Sequence, residues 1–153
     1  HSPGPIRPGP LGEDLSCRFA ELGYPIATRA TAAGMSPCLV EVYPHPALLT
    51  LLERERRVPY KISKAAKYWK GTSLQERIRL LLAEFAAIEE ALARRIAGIA
   101  LGIPAADDVS TLASLKRYED ALDALVCCWI GSEFMAGNAY PLGDDTAAIW
   151  LPN

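Results

Sequence analysis

The amino-acid sequence predicts an α/β domain in which a small sheet fragment is carried by two long helices. Three observations predict it. Two long stretches, one opening at Ser73 and one near Asp107–Asp108, repeat apolar residues at spacings of three and four. A β-branched and aromatic run, Cys38-Leu39-Val40-Glu41-Val42-Tyr43, reads as a strand. A second such run, Ala147-Ala148-Ile149-Trp150-Leu151, stops at Pro152. With 153 residues, 50% of them hydrophobic, residues 1–153 make one domain with one core.

In chain order, residues 1–12 hold four prolines and three glycines, which is loop composition. Glu13 to Leu22 reads as a short helix, with Leu15, Phe19 and Leu22 on one side and Gly23 as its stop. A short strand is expected near Ile26. After the strand 38–43, Pro46 suits the first turn of a helix running to about Arg56. Ser73-x-x-Glu76 is a capping box. Leu74, Ile78, Leu81, Phe85, Ile88, Leu92, Ile96 and Ile99 follow it, and Gly98, Gly102 and Pro104 end that helix. The second long helix starts at Asp107 or Asp108 and stops near Gly137-Asn138. Pro141-Leu142-Gly143-Asp144-Asp145 reads as a turn before the last strand.

Composition excludes several classes. No run of 18 apolar residues exists, so no membrane partner is expected. Residues 1–12 have neither the basic nor the apolar region of a signal peptide. Cys17, Cys38, Cys127 and Cys128 form no Cys-x-x-Cys pair, which argues against a structural zinc site. Buried free thiols and a cytoplasmic location are expected. Gly-x-Ser-x-Gly, a phosphate-binding P-loop and His-Glu-x-x-His are all absent.

The anomaly is acidic. Placed at 100° per residue from Leu112, the side chains of Leu115, Leu122, Leu125, Val126, Trp129 and Ile130 share one arc. Asp123 falls inside that arc, Glu119 lies on it and Asp120 sits at its edge. Unpaired buried carboxylates are costly, so the cluster calls for a cation or a hydrogen-bond network. Glu41, inside Leu-Val-Glu-Val, is a second acid in an apolar setting. At the carboxyl end of its strand, it sits where open α/β sheets hold ligands. Glu41, Asp120 and Asp123 are therefore the candidate catalytic and metal-binding residues. Mg²⁺ or Mn²⁺ suits such hard oxygen donors, and a two-metal site needs about four carboxylates. His45 is a candidate proton relay. The competing accounts are an exposed edge for Glu41, an ion pair with a neighbouring Arg or Lys for Asp120 and Asp123, and a turn or capping role for His45. Glu119 reads as the bystander, a cap or a partner for Lys116.

Residues 54–70 are net +6 against −8 for the remainder. Arg57, Lys61, Lys64, Lys67 and Lys70, with Tyr60, Tyr68 and Trp69 interleaved, suit a nucleic-acid backbone and its exposed bases. A solvated linker is the plain alternative.

Glu41-Val42-Tyr43-Pro44-His45-Pro46-Ala47, Tyr60-Lys61, Tyr118-Glu119-Asp120-Ala121-Leu122-Asp123-Ala124, Pro141-Leu142-Gly143-Asp144-Asp145 and Ile149-Trp150-Leu151-Pro152 resemble the domain-of-unknown-function-429 family. The resemblance spans most of residues 11–153. Members of that family are predicted nucleases of the ribonuclease-H-like superfamily. It implies that fold, here as a helix-rich C-terminal portion, with Glu41, Asp120 and Asp123 matching the family's acids. Asp144 and Asp145 match its turn acids, without a stated role. The superfamily's first catalytic Asp, on its first strand, has no counterpart here, and the first core strands are expected to precede residue 1.

The expected function is thus a metal-dependent nuclease cleaving phosphodiester bonds of DNA or RNA, incomplete in this chain. The alternative is a non-catalytic nucleic-acid or protein-binding module of the same fold. A phosphotransfer enzyme of the related actin-like fold is disfavoured by the lack of glycine-rich phosphate loops. Nucleic acid is the expected partner, and a second copy or the N-terminal half of the same protein is the expected protein partner.

Overall fold

The structure is a computed structural model that describes residues 10–34 and 37–153. The loop expected over residues 1–9 lies outside these residues. The described chain contains five α-helices and two strands. They are α1 (Pro10–Glu21), α2 (Pro44–Leu51), α3 (Ala65–Tyr68), α4 (Leu74–Ala93) and α5 (Lys116–Met135), then β1 (Ala139–Gly143) and β2 (Ala148–Pro152).

The core lies between α4, α5 and α2. Helix α4 buries Ile78, Leu81, Leu82, Phe85, Ile88, Ala91 and Leu92. Helix α5 answers with Leu122, Val126, Trp129, Ile130 and Phe134, and α2 with Ala47, Leu48 and Leu51. Each large apolar side chain so buried stabilises the fold by about 1.5–3 kcal/mol. The predicted cap of α4 is present, with Ser73 accepting a 3.1 Å hydrogen bond from the Glu76 N–H. Helix α4 ends at Ala93, earlier than expected, and the chain leaves it through turns over residues 94–98 before running on to Leu101. Glu89 fixes that path by accepting the Leu101 N–H at 2.5 Å, and Glu84 pairs with Arg54 at 2.6 Å.

The second long helix starts later than Asp107. Residues Ala106–Asp108 form one 3₁₀ turn, and the buried, extended Val109 interrupts the path. Thr111 then caps a new start by accepting the Ser114 N–H at 3.4 Å. The 3₁₀ turn Leu112–Leu115 runs straight into α5. Helix α2 is likewise shorter than expected, because Glu53 turns into the left-handed region at φ 52°.

The sheet differs most from expectation. Strands β1 and β2 form an antiparallel pair from Ala139↔Pro152 to Gly143↔Ala148. Residues 139–143, whose Pro-Leu-Gly suggested a turn, are thus a strand. Pro141 is tolerated because β1 lies at the edge of the pair. The turn falls later, where Asp144 accepts the Thr146 N–H at 2.8 Å and the Thr146 hydroxyl at 2.6 Å. Conversely, among the described residues Cys38–Tyr43 makes only two isolated parallel bridges, Leu39 to Ile26 and Glu41 to Ile149. Pro25, Pro37 and Pro44 flank the bridged residues, and a proline has no N–H to extend a ladder.

Helix α1 has an apolar side but buries no residue, and Leu15 is 50% exposed. The cysteines also depart from expectation. Cys17, Cys127 and Cys128 are exposed and Cys38 is half-buried, all with free thiols. No described helix is long and apolar enough to cross a membrane.

Candidate functional site

The site forms where the extended segment 57–62 crosses the first turns of α5. Val58 and Tyr60 are buried, which pins the segment and leaves Lys61 at its rim. Ile62 opens a 3₁₀ turn, and its N–H has no partner within that turn. Glu119 Oε2 accepts that N–H at 2.7 Å. Glu119 Oε1 receives Lys116 at 2.9 Å and Lys61 at 3.4 Å. Asp123 is held at both oxygens, by the Tyr60 hydroxyl at 2.7 Å and by the Lys61 ammonium. Asp120 receives Lys116 at 2.5 Å.

These contacts set the protonation states. Burial pushes the Glu119 carboxyl up, but the Lys116 hydrogen bond, the Ile62 N–H and the Lys61 charge outweigh it and hold it below the usual carboxylate value. Burial, together with donation to Asp123, pushes the Tyr60 hydroxyl well above its ordinary value. The hydroxyl therefore acts as a fixed donor. Asp120 and Glu119 together raise the Lys116 ammonium above its ordinary value.

His45 lies beneath this layer, buried and edge-on to Tyr60, with ring centroids 5.2 Å apart. Burial, then the charges of Arg57 and Lys61, lower it to about 4, against the opposing pull of Asp123 and Glu119. It is neutral at pH 7. Arg57 donates to His45 Nε2, which puts the ring proton on Nδ1, a buried atom without a hydrogen-bond partner among the described residues. His45 thus supports Tyr60 from below.

Ligand oxygens of Glu119, Asp120 and Asp123 all lie within 4.8 Å of one another. The three acids occupy positions i, i+1 and i+4 of α5, which is why one helix can present them together. Residues 9–148 match the family described as "Protein of unknown function (DUF429)". The chain belongs to the DUF429 family. No curated protein and no solved structure matches it.

The residues singled out from sequence fall in different places relative to this site. Asp120 and Asp123 come together as expected. Glu119, read as a bystander, is the most buried of the acids at 5% exposed, and both of its oxygens are engaged. Its place on the apolar arc was the signal. Glu41 does not join the group. Its side chain is exposed, and its carbonyl accepts the Trp150 N–H at 2.9 Å. Lys61, expected to face a nucleic acid, is committed to Asp123 and Glu119. This is the ion pair with a neighbouring element that competed with the metal reading. Lys64, Lys67 and Lys70 are exposed, and Trp69 packs half-buried against the core. Asp144 and Asp145 belong to the β1–β2 turn, where Asp145 pairs with Arg29 at 3.3 Å. Tyr60, counted from sequence only among the aromatics interleaved in the basic segment, donates to Asp123 and proves central. Its pairing with Lys61, one of the motifs that carry the family resemblance, was the signal.

Proposed function

We propose that this chain carries the carboxylate centre of a metal-dependent nuclease of ribonuclease-H-like type. The observation that carries the reading is the convergence of Glu119, Asp120 and Asp123 within 4.8 Å. All three offer hard oxygen donors, which suit Mg²⁺ or Mn²⁺. The site is already built to accept positive charge. Lys116, with its side chain 54% exposed, rests its ammonium on Glu119 and Asp120 and is free to swing into solvent. With Lys116 aside, Glu119 Oε1, Asp120 and Asp123 would hold one cation. A second ion of a two-metal pair needs further ligands. A bound cation would polarise a phosphoryl oxygen and lower the pKa of a bound water.

The chain's own residues prepare this centre. Ile62 N–H and Lys61 orient Glu119. Tyr60 fixes the rotamer of Asp123, and His45 keeps Tyr60 in place. The basic residues of segment 57–70 support the choice of a phosphate-rich substrate. The experiment is cleavage of labelled single- and double-stranded DNA and RNA with Mg²⁺ or Mn²⁺, set beside metal binding by the same protein. Asp123→Asn should abolish both cleavage and binding. Cleavage that persists in Asp123→Asn, or that ignores the metal, contradicts the reading.

One observation favours a second reading, a non-catalytic nucleic-acid or protein-binding module. Lys61 and Lys116 already neutralise two of the three carboxylate charges, as a purely structural network would. Under that reading, no divalent cation binds and Asp123→Asn costs only stability.

A further inference from the structure

Arg57, Lys64, Lys67 and Tyr68 line a pocket of about 310 Å³ beside the acidic centre. Lys64 and Lys67 are three residues apart across the 3₁₀ turn and α3, and so share a side. None of the three cations forms a salt bridge with a carboxylate among the described residues. The acids of α5 do not balance them, because Lys61 and Lys116 take that role. Arg57 spends one nitrogen on the neutral His45, which leaves its charge and its other N–H groups uncompensated.

The fourth lining residue marks the pocket as more than a solvated face. The Tyr68 hydroxyl is buried and has no hydrogen-bond partner among the described residues. An unmade hydrogen bond at a buried hydroxyl costs about 1–3 kcal/mol, so such groups are rare without a ligand or water to satisfy them. Three uncompensated cations exceed the single negative charge of one carboxylate. A free phosphate or phosphomonoester carries about −1.5 to −2 charge and at least three strong acceptor oxygens, and a phosphodiester in a polynucleotide brings further charge from its neighbours.

We propose that Arg57, Lys64, Lys67 and Tyr68 form a binding pocket for one phosphate group. The pocket deepens the reading of the basic segment by naming a single subsite within it. Its test reads binding alone, so it stands or fails separately from metal-dependent cleavage.

The test titrates the full chain with inorganic phosphate at constant ionic strength, balanced with chloride and without divalent metal, and follows amide chemical shifts. Saturable binding centred on residues 57–68 is expected. Tyr68→Phe should weaken it about tenfold, in line with a lost hydrogen bond to a charged group. Lys64→Gln with Lys67→Gln should weaken it at least as much, and both residues are exposed, so that variant keeps the fold. Arg79→Gln, on α4, should bind as the parent does. A second arm adds oligothymidylate to the phosphate complex. Displacement identifies a polynucleotide phosphodiester as the source, whereas persistence of the phosphate signal identifies a free phosphate or phosphomonoester. Either result upholds the pocket. Non-saturable shifts, or unchanged affinity in the Tyr68 and lysine variants, overturn it.

Discussion

The Tyr60 hydroxyl donates a 2.7 Å hydrogen bond to Asp123 Oδ1, joining residues 63 apart in sequence. The neighbouring Lys61 takes the other carboxylate oxygen. Two consecutive side chains thus fix one acid in a single rotamer. Tyr60→Phe keeps the buried ring and removes only the donor. It should destabilise the protein by about 1–2 kcal/mol, as measured by urea denaturation. An unchanged midpoint would mean that the bond contributes nothing to the fold.

Lys61 bridges Asp123 and Glu119 with its side chain only 22% exposed. Lys61→Met removes the charge while keeping the aliphatic stem. Glu119 then loses one of the charges that hold its carboxyl down, and its pKa should rise. Carbon-13 NMR of the labelled carboxylate reads that shift directly. The protein should also lose about 1–3 kcal/mol, a partner lost from a partly buried ion pair. If the Glu119 titration stays where it was, Lys61 is not part of the network.

His45 makes stability depend on pH in a defined window. Its folded value of about 4 lies below the usual 6.5 because burial, Arg57 and Lys61 disfavour the imidazolium. Between those values the unfolded chain binds the extra proton, so stability falls as pH drops from 6.5 towards 4. The limiting slope for one such group is about 1.4 kcal/mol per pH unit. Above pH 6.5 the contribution is constant. Glu119 acts further down, because its lowered value stabilises the fold above the usual carboxylate range and is lost as pH falls through it. Thermal denaturation from pH 8 to 4 should show the first slope in the parent and a flatter one in His45→Gln. Parallel profiles would show that His45 does not titrate on unfolding.

Gly143 ends β1 opposite Ala148, where a Cβ would stand 2.3 Å from the Ala147 carbonyl oxygen and 2.6 Å from Ala148 Cα. Both are backbone atoms and cannot swing aside. Gly143→Ala should therefore cost about 1–3 kcal/mol and lower Tm by roughly 2–10 °C. A Tm equal to the parent's would mean that the turn rearranges freely.

The helices were legible in the sequence because their signals are local. The capping Ser73 and the spacing of Ile78, Leu81, Phe85 and Ile88 need no distant partner. The strands were less legible. Residues 139–143 become a strand only by pairing with β2, and the flanking prolines cut Cys38–Tyr43 to single bridges. The site was legible on the helix side, where Asp120 and Asp123 broke an apolar pattern. Its other half was hidden. Lys61 reads as one of seven cations in a basic segment, and only the fold turns it towards α5. Glu119 was undervalued because its nearest visible partner was Lys116, whereas its burial depends on segment 57–62 crossing above it.

The central claim is that Glu119, Asp120 and Asp123 hold a divalent cation. Binding of Mn²⁺ to the full chain, followed by loss of the free-ion electron paramagnetic resonance signal, tests it without reference to cleavage. The parent should show saturable binding, Lys116→Met should tighten it by removing the competing ammonium, and Asp120→Asn with Asp123→Asn should abolish it. No saturable binding by the parent, or equal binding by the double variant, would contradict the claim.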